Sequence, residues 1–375
     1  MKYIYEIIID YLEEEDELAE TRSFENLLKY FQEQKIRENK YDLKEVLHII
    51  IRISNNHHRT INFSEKIEKV LTSFQDDIKQ TFSNWEIFNI FKSSKRMLLF
   101  LFENNILIPD KNIFHILKQE KYEKMNYLQF FKIEFNQFKK FKAIEFDTEL
   151  FKQKRKIGEN DDILCNLIRN DLIKEFIVLF NKTNFSLNSE IESSIFETNS
   201  FLIDKKPTLI QYSAFFGSIQ IFQFLKINNV CLEPSIWKYA IHGKNAEIIH
   251  LLEENDVSKE TIDFDECLKE SIKCHHNDIS NYIQNNFIQS NNKRKLLLQK
   301  LKYYNFNDFP NEMEIDSELF YYLCKYDYIN VVDFLLSEGK IEIKRIIVLI
   351  LNSNEITSNF LNKVFHLFLM IQFFT

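Results

Sequence analysis

Glycine and proline are nearly missing. The 375 residues contain 4 of each, against typical usage of roughly 7% and 5%. So few breakers argue against enzymes whose phosphate sites are glycine-rich loops. They predict long uninterrupted helices joined by short turns built from Asn and Asp. Positive charge is also short, since 48 Lys and Arg face 56 Asp and Glu for a net charge of −8. That argues against a general binder of nucleic acid or anionic membranes, both of which need a positive field. The five cysteines, Cys165, Cys231, Cys267, Cys274 and Cys324, are scattered and odd in number. They fit reduced thiols in the cytoplasm, with the nucleus as the alternative, and not a disulfide framework. No apolar run approaches ~18 residues, so no membrane span is expected. The opening "MKYIYEIIIDYLEEEDELAE" lacks the form of a signal peptide, because Ile7–Ile9 is short and acidic residues follow it.

What remains is ordinary globular composition, 45% hydrophobic and 28% charged, on a chain long enough for two domains and a large core. The 37 phenylalanines read as compositional bias and not as an aromatic site. The N-terminal stretch is helical by period: Phe24, Leu27, Leu28 and Phe31 share one face, as do Leu43, Val46, Leu47 and Ile50. Ser64 is a candidate N-cap for a third helix.

Further along, a unit recurs. Taking Glu247-Ile248-Ile249 as register, the equivalent triplets are Gln220-Ile221-Phe222, Asp278-Ile279-Ser280 and Asn330-Val331-Val332. Seven positions before each triplet stand Ser213, Ala240, Ser271 and Leu323; four and five positions after its start stand Phe224-Leu225, Leu251-Leu252, Tyr282-Ile283 and Phe334-Leu335. This is the pattern of two short helices. Ser213 and Ala240 are expected to be packing residues, small enough to let the helices of a pair approach. The second helix should end at Asn229, Asp256 and Gly339, residue types that tolerate the left-handed conformation, whereas Phe287 requires a different ending, such as one on Asn286. An earlier copy is visible at Met97–Ile106, ending at Asn105, and a looser one at Leu167–Phe180. Pro207 and Pro234 head their copies, where a missing N–H costs nothing.

The stretch "TLIQYSAFFGSIQIFQFLKINNV" resembles an ankyrin repeat, with Thr208, Ser213, Ala214, Gly217, Ile221, Phe224 and Leu225 at that family's pattern positions; "NVVDFLLSEGK" resembles its second half. Leu209 replaces the family's proline and Gln211 its histidine, and the spacing is short of the family's period, which implies reduced β-hairpin fingers. The chain also resembles a large protist family in which such repeats overlap a domain of unknown function. The resemblance implies an all-α fold: an N-terminal helical cap over residues 1–84, an ankyrin-like α-solenoid over 85–345, clearest at 207–290, and a C-terminal helix or truncated repeat over 346–375. It implies a non-enzymatic scaffold that binds a protein partner through its concave face. The inter-helix turns then supply the contacts: Phe215, Phe216, Ser218, His242, Lys244, Asn245, His275, His276 and Asn277.

Chemistry offers one rival. Cys267, Cys274, His275 and His276, joined by His242 or His250, are the residue types of a zinc site, and Cys274 with His242 could form a nucleophile–base pair. Structural zinc needs four converging groups, while the register puts Cys267 on a first helix and the two histidines in a turn. No metal, cofactor or catalytic residue is therefore expected. Basic clusters at 152–156 and 292–302 read as solvated helix faces, the first with nuclear import as its alternative. Trp237 stands at a core position of its repeat.

Overall fold

A computed structural model describes residues 2–56, 62–138, 147–254, 261–288, 292–310 and 315–337. Among them the regular structure is helical, and the one β-type pairing is an isolated bridge between Glu190 and Thr208. In chain order the helices are α1 (Lys2–Glu13), α2 (Glu17–Glu33), α3 (Lys40–Asn56), α4 (Phe63–Ser73), α5 (Gln75–Thr81), α6 (Asn84–Phe91), α7 (Lys95–Glu103), α8 (Lys111–Leu117), α9 (Glu120–Lys124), α10 (Tyr127–Phe130) and α11 (Thr148–Ile157). They continue as α12 (Ile163–Arg169), α13 (Ile173–Thr183), α14 (Leu209–Phe216), α15 (Ile219–Ile227), α16 (Ile236–Gly243), α17 (Ala246–Glu254), α18 (Phe264–Lys273), α19 (Asn277–Phe287), α20 (Lys293–Tyr303), α21 (Ser317–Lys325) and α22 (Ile329–Ser337).

The described residues of Met1–Ile49 and Asn291–Thr375 form one compact unit, and those of Ile50–Ser290 form the other. Residues 346–375, Asp256 and Gly339 lie outside the described residues.

Scarcity of breakers does not give long helices here; the longest described ones, α2 and α3, have 17 residues. Other residues do the breaking. Of the twelve described non-glycine residues with positive φ, five are Asn and three are Asp, residue types whose short polar side chains tolerate that conformation. Asn105 and Asn229 end their helices in this way, at φ 51° and 57°. Two end assignments change. Helix α4 starts on Asn62, at φ 54°, with Ser64 inside its first turn. Helix α19 runs through Asn286 to Phe287 and ends on extended Ile288.

In the second unit, α12/α13, α14/α15, α16/α17 and α18/α19 are successive helix pairs. The first helices α12, α14, α16 and α18 touch in series, and so do the second helices α13, α15 and α17. The periodic positions explain this. Ser213 and Ala240 are fully buried, and the fifth-position residues Leu225, Leu252 and Ile283 are in the core. Helices α14 and α16 approach closely at Gly243, where an added Cβ would lie 2.0 Å from the carbonyl oxygen of Ala214. Helix α14 is also well delimited. Thr208 and Gln211 form a reciprocal capping box at its start, and Gly217, at φ 66°, closes it.

The first unit packs α1 on α2, α20 on α21 and α21 on α22. Its core includes Tyr5, Ile8, Tyr11, Leu12, Leu27, Phe31 and the predicted stripe Leu43, Val46 and Leu47. The pair α21/α22, which carries the fourth sequence copy, belongs to this unit and not to the one holding the other copies.

Candidate functional site

The three turns expected to carry a contact surface share one backbone feature. Gly217, Lys244 and His275, three residues before each register triplet, all take the left-handed conformation, at φ 66°, 50° and 59°. Asp327 in the first unit repeats it at 71°. Asp171, between α12 and α13, does so at 49°, which identifies that pair as another copy. Of the three expected turns, only that at Gly217 is marked by residue type, whereas Lys244 and His275 are not.

This turn directs most of its side chains inward. Phe215, Phe216, Ser218, His242, His275 and His276 are all buried, at 6% exposure or less. Ser218 Oγ donates to the carbonyl of Ile168 at 2.5 Å. A buried side chain cannot meet a partner, so the expectation of an exposed surface is corrected for these six. Lys244 remains exposed, and Asn245 and Asn277 are half-buried. Asn245 is itself structural: its Oδ1 accepts from the backbone N–H groups of Glu247 and Ile248 at 3.0 and 3.2 Å, and its Nδ2 donates to Gly217 O at 3.0 Å.

For Phe215 and His242 the cover is a segment of the chain itself. Phe201, Leu202 and Ile203 are buried, and Phe201 packs on the first helices. The Phe201 ring lies 4.1 Å from that of His242, 5.0 Å from Tyr239 and 5.7 Å from Phe215. The face expected to be a concave groove is filled there by residues that carry no repeat pattern, and nothing in the periodicity could have announced it.

Beneath Phe201 lies a polar cluster. His242 Nε2 is 2.8 Å from Glu270 Oε1, Lys273 Nζ donates to the same oxygen at 2.7 Å, and Cys274 Sγ lies 3.4 Å from His242 Nδ1 and 3.5 Å from Nε2. Burial lowers the pKa of His242 more than the Glu270 hydrogen bond raises it. Burial alone would raise Glu270, yet the hydrogen bond from His242 and the charge and hydrogen bond of Lys273 hold it well below the usual carboxylate range. The consistent state is a neutral imidazole donating from Nε2 to an ionised carboxylate that Lys273 neutralises. Burial pushes the Cys274 thiol well above its ordinary value.

The sulfur is nearly equidistant from both ring nitrogens. In the ring plane that position would collide with Cε1, so the sulfur sits over the ring face. A thiol there does not point along an imidazole lone pair, and it stays protonated, so the nucleophile–base arrangement is not formed. Among the described residues, His242, Glu270 and Cys274 are the group whose donor atoms lie within 4.8 Å of one another, as a metal ion would require. The expected set is not assembled: Cys267 is a separate buried thiol, pushed up to about 12 by burial, and His275 and His276 are not in the group. Glu270 was missed because a glutamate on a charged helix carries no mark of burial.

The first basic cluster is a solvated face at Lys152 and Lys156, which are exposed, but not at Arg155. Arg155 is buried and donates to Glu134 at 2.8 and 2.9 Å and to Phe130 O at 3.1 Å; Lys152 pairs with Glu149 and Lys154 with Asp161. Trp237 is buried, as expected from its register.

An open cleft lies on the other side of the pairs. A cavity of about 300 Å³ between α17 and α19 has Ala246, Ile249 and Ile279 as its floor and Lys244, His250, Glu253, Asp278 and Tyr282 around it. Tyr282 is 40% exposed and donates its hydroxyl to Glu253. No known protein family, characterised protein or solved structure matches this chain. Among the described residues no helix is long and apolar enough to cross a membrane.

Proposed function

We propose that the chain is a non-enzymatic scaffold, an ankyrin-like α-solenoid that binds a protein partner. The observation that carries this reading is the cleft between α17 and α19, with an apolar floor and a charged rim at successive helix pairs. An apolar centre with a polar surround is how protein interfaces are organised. This contact surface replaces the filled inner face and keeps Lys244 from the original set. Its rim carries Glu253 and Asp278 against Lys244, which favours a partner segment bearing a basic side chain. Proximity labelling in cells tests the reading by comparing the unaltered chain with Asp278→Lys and Tyr282→Ala. A defined set of neighbours should disappear in both variants while the fold, read by circular dichroism, is kept. Retention of every neighbour in both would overturn the reading.

A second reading, a metal-binding protein, draws on the His242, Glu270 and Cys274 donors. Against it stand the sulfur over the ring face and Lys273, which already neutralises the carboxylate. Stoichiometric zinc in the purified chain, with the Cys274 thiol protected from titration, would restore it; metal-free protein with a titratable thiol after unfolding would remove it.

A further inference from the structure

Within the first unit, α3 presents Asp42 and Glu45 one turn apart, on one face of the helix. Both line a cavity of about 410 Å³. Ile4 of α1, Ile36, and Val331 and Phe334 of α22 supply apolar wall; Asn330 is the polar neighbour from α22. Among the described residues lining it there is no Lys, Arg or His. Glu45 is only 4% exposed, and its Oε1 is buried with no hydrogen-bond partner. Asp42 Oδ1 is already taken, accepting from Asn330 Nδ2 at 2.6 Å. One carboxylate oxygen is thus left over, at the acidic end of a cavity whose other walls are Ile4, Ile36, Val331 and the rings of Tyr30 and Phe334, with Gln34 and Asn330 as polar neighbours.

A buried carboxylate oxygen without a donor is costly, and the cost ends when a cation or proton meets it. Burial raises Glu45 to about 7; the hydrogen bonds from Asn330 and the more distant positive charge of the amino terminus oppose that rise without cancelling it. The group therefore waits near neutrality for a positive partner.

The chemistry of that partner can be narrowed. Calcium wants six to eight oxygens around it, whereas much of this lining is hydrocarbon. A guanidinium fork seeks two parallel acceptors on one carboxylate, and the second Glu45 oxygen already meets the hydrogen bonds from Asn330. An ammonium is a compact point charge on a flexible apolar stem, and such stems lie along apolar surface while the head stays with polar groups. We propose that this cavity binds a primary alkylammonium group, its nitrogen donating to Glu45 Oε1 and its methylene chain lying along Ile4, Ile36 and Val331. The group can come from a small free amine or from a lysine side chain, and the two share this recognition.

Isothermal titration calorimetry on the full chain tests the site, with n-hexylammonium, hexanol, hexanoate and calcium chloride as probes. Hexylammonium is expected to bind at least ten times more tightly than hexanol, and hexanoate should not bind. Because Glu45 is partly protonated near pH 7, hexylammonium binding should also release protons, seen as a heat that changes with the ionisation enthalpy of the buffer. These comparisons use the unaltered protein, so they stand whether or not a variant folds. Glu45→Gln, close in shape, should weaken hexylammonium at least tenfold and leave hexanol unchanged. Nα-acetyl-lysine amide then separates the sources: tighter binding than hexylammonium assigns the cavity to a peptide lysine, weaker binding to a free amine. Equal binding of hexanol and hexylammonium, binding of calcium in place of the amine, no binding of the amine at millimolar concentration, or an unweakened Glu45→Gln would each overturn the proposal.

Discussion

The ring of Phe201 lies on the imidazole of His242, with centroids 4.1 Å apart. Phe201 comes from an irregular stretch between repeat copies, and His242 ends a first helix of the repeats. Their contact closes the inner face of the helix pairs at α14 and α16 and shields the Glu270 carboxylate below. Lys205 adds its ammonium over the same ring, 3.0 Å from its centroid.

Removing this plug should be expensive. Phe201→Ala deletes a ring that is 5% exposed and leaves a void against Phe215, Tyr239 and His242. The expected loss is ~3–5 kcal/mol, the usual range for truncating a buried phenylalanine. Urea denaturation of both proteins measures it. A loss below ~1 kcal/mol would mean the segment rests loosely and the inner face is open to partners after all.

How much of this was legible in the residues depends on what each position does. The helix pairs were readable because packing imposes a period: Ser213, Ala240, Leu225 and Leu252 recur in register and all are buried. Helix ends marked by Asn105 and Asn229 were readable because left-handed φ selects residue types. The turns were not, because Lys244 and His275 adopt the same conformation without belonging to the types that prefer it. Burial of His242, His275 and His276 was hidden for a different reason. A polar residue in a turn is usually solvated, and what reverses that for His242 is Phe201, outside the repeat. The cluster was half visible: Cys274 and His242 were candidates, but Glu270, which fixes the imidazole's protonation, looked like any surface glutamate. The Asp42–Glu45 pair needed the three-dimensional placement of α22 before it meant anything.

The buried imidazole makes a signed prediction about pH. The folded-state pKa of His242 is lowered, so its contribution to stability is present above the unfolded value of about 6.5 and is lost as pH falls below it. Glu270 is also lowered, so its contribution is present above an unfolded value of about 4.3 and is lost at lower pH. The advantage of the unaltered chain over His242→Gln should therefore shrink between pH 7 and pH 5. The advantage over Glu270→Gln should hold at pH 5 and fall only in more acid solution. Thermal unfolding of the three proteins across pH 3.5–7.5 checks both. An advantage over His242→Gln that grows on acidification would show that His242 is charged in the folded state.

Close approach of α14 and α16 yields the sharpest single-residue test. At Gly243 a new Cβ would fall 2.0 Å from Ala214 O and 3.1 Å from Gly217 N. Both are backbone atoms, so no side chain can swing aside and the helices must part. Overpacking usually costs ~1–3 kcal/mol, and Gly243→Ala should reach ~3 kcal/mol or more because the obstacle is rigid. Gly217→Ala offers the control. It meets a backbone penalty at φ 66°, of the order of ~1 kcal/mol. Gly243→Ala should therefore be clearly the worse of the two, although both replace a glycine by the same residue at the end of a first helix, in adjacent helix pairs. The location of the damage is informative too. In stacked repeats each pair exchanges stability with its neighbours, so amide hydrogen exchange should show protection lost across α14–α19 and kept in α4–α7. If protection falls evenly through all of these helices, the pairs do not behave as a stacked array, and the solenoid reading on which the proposed scaffold rests goes with them.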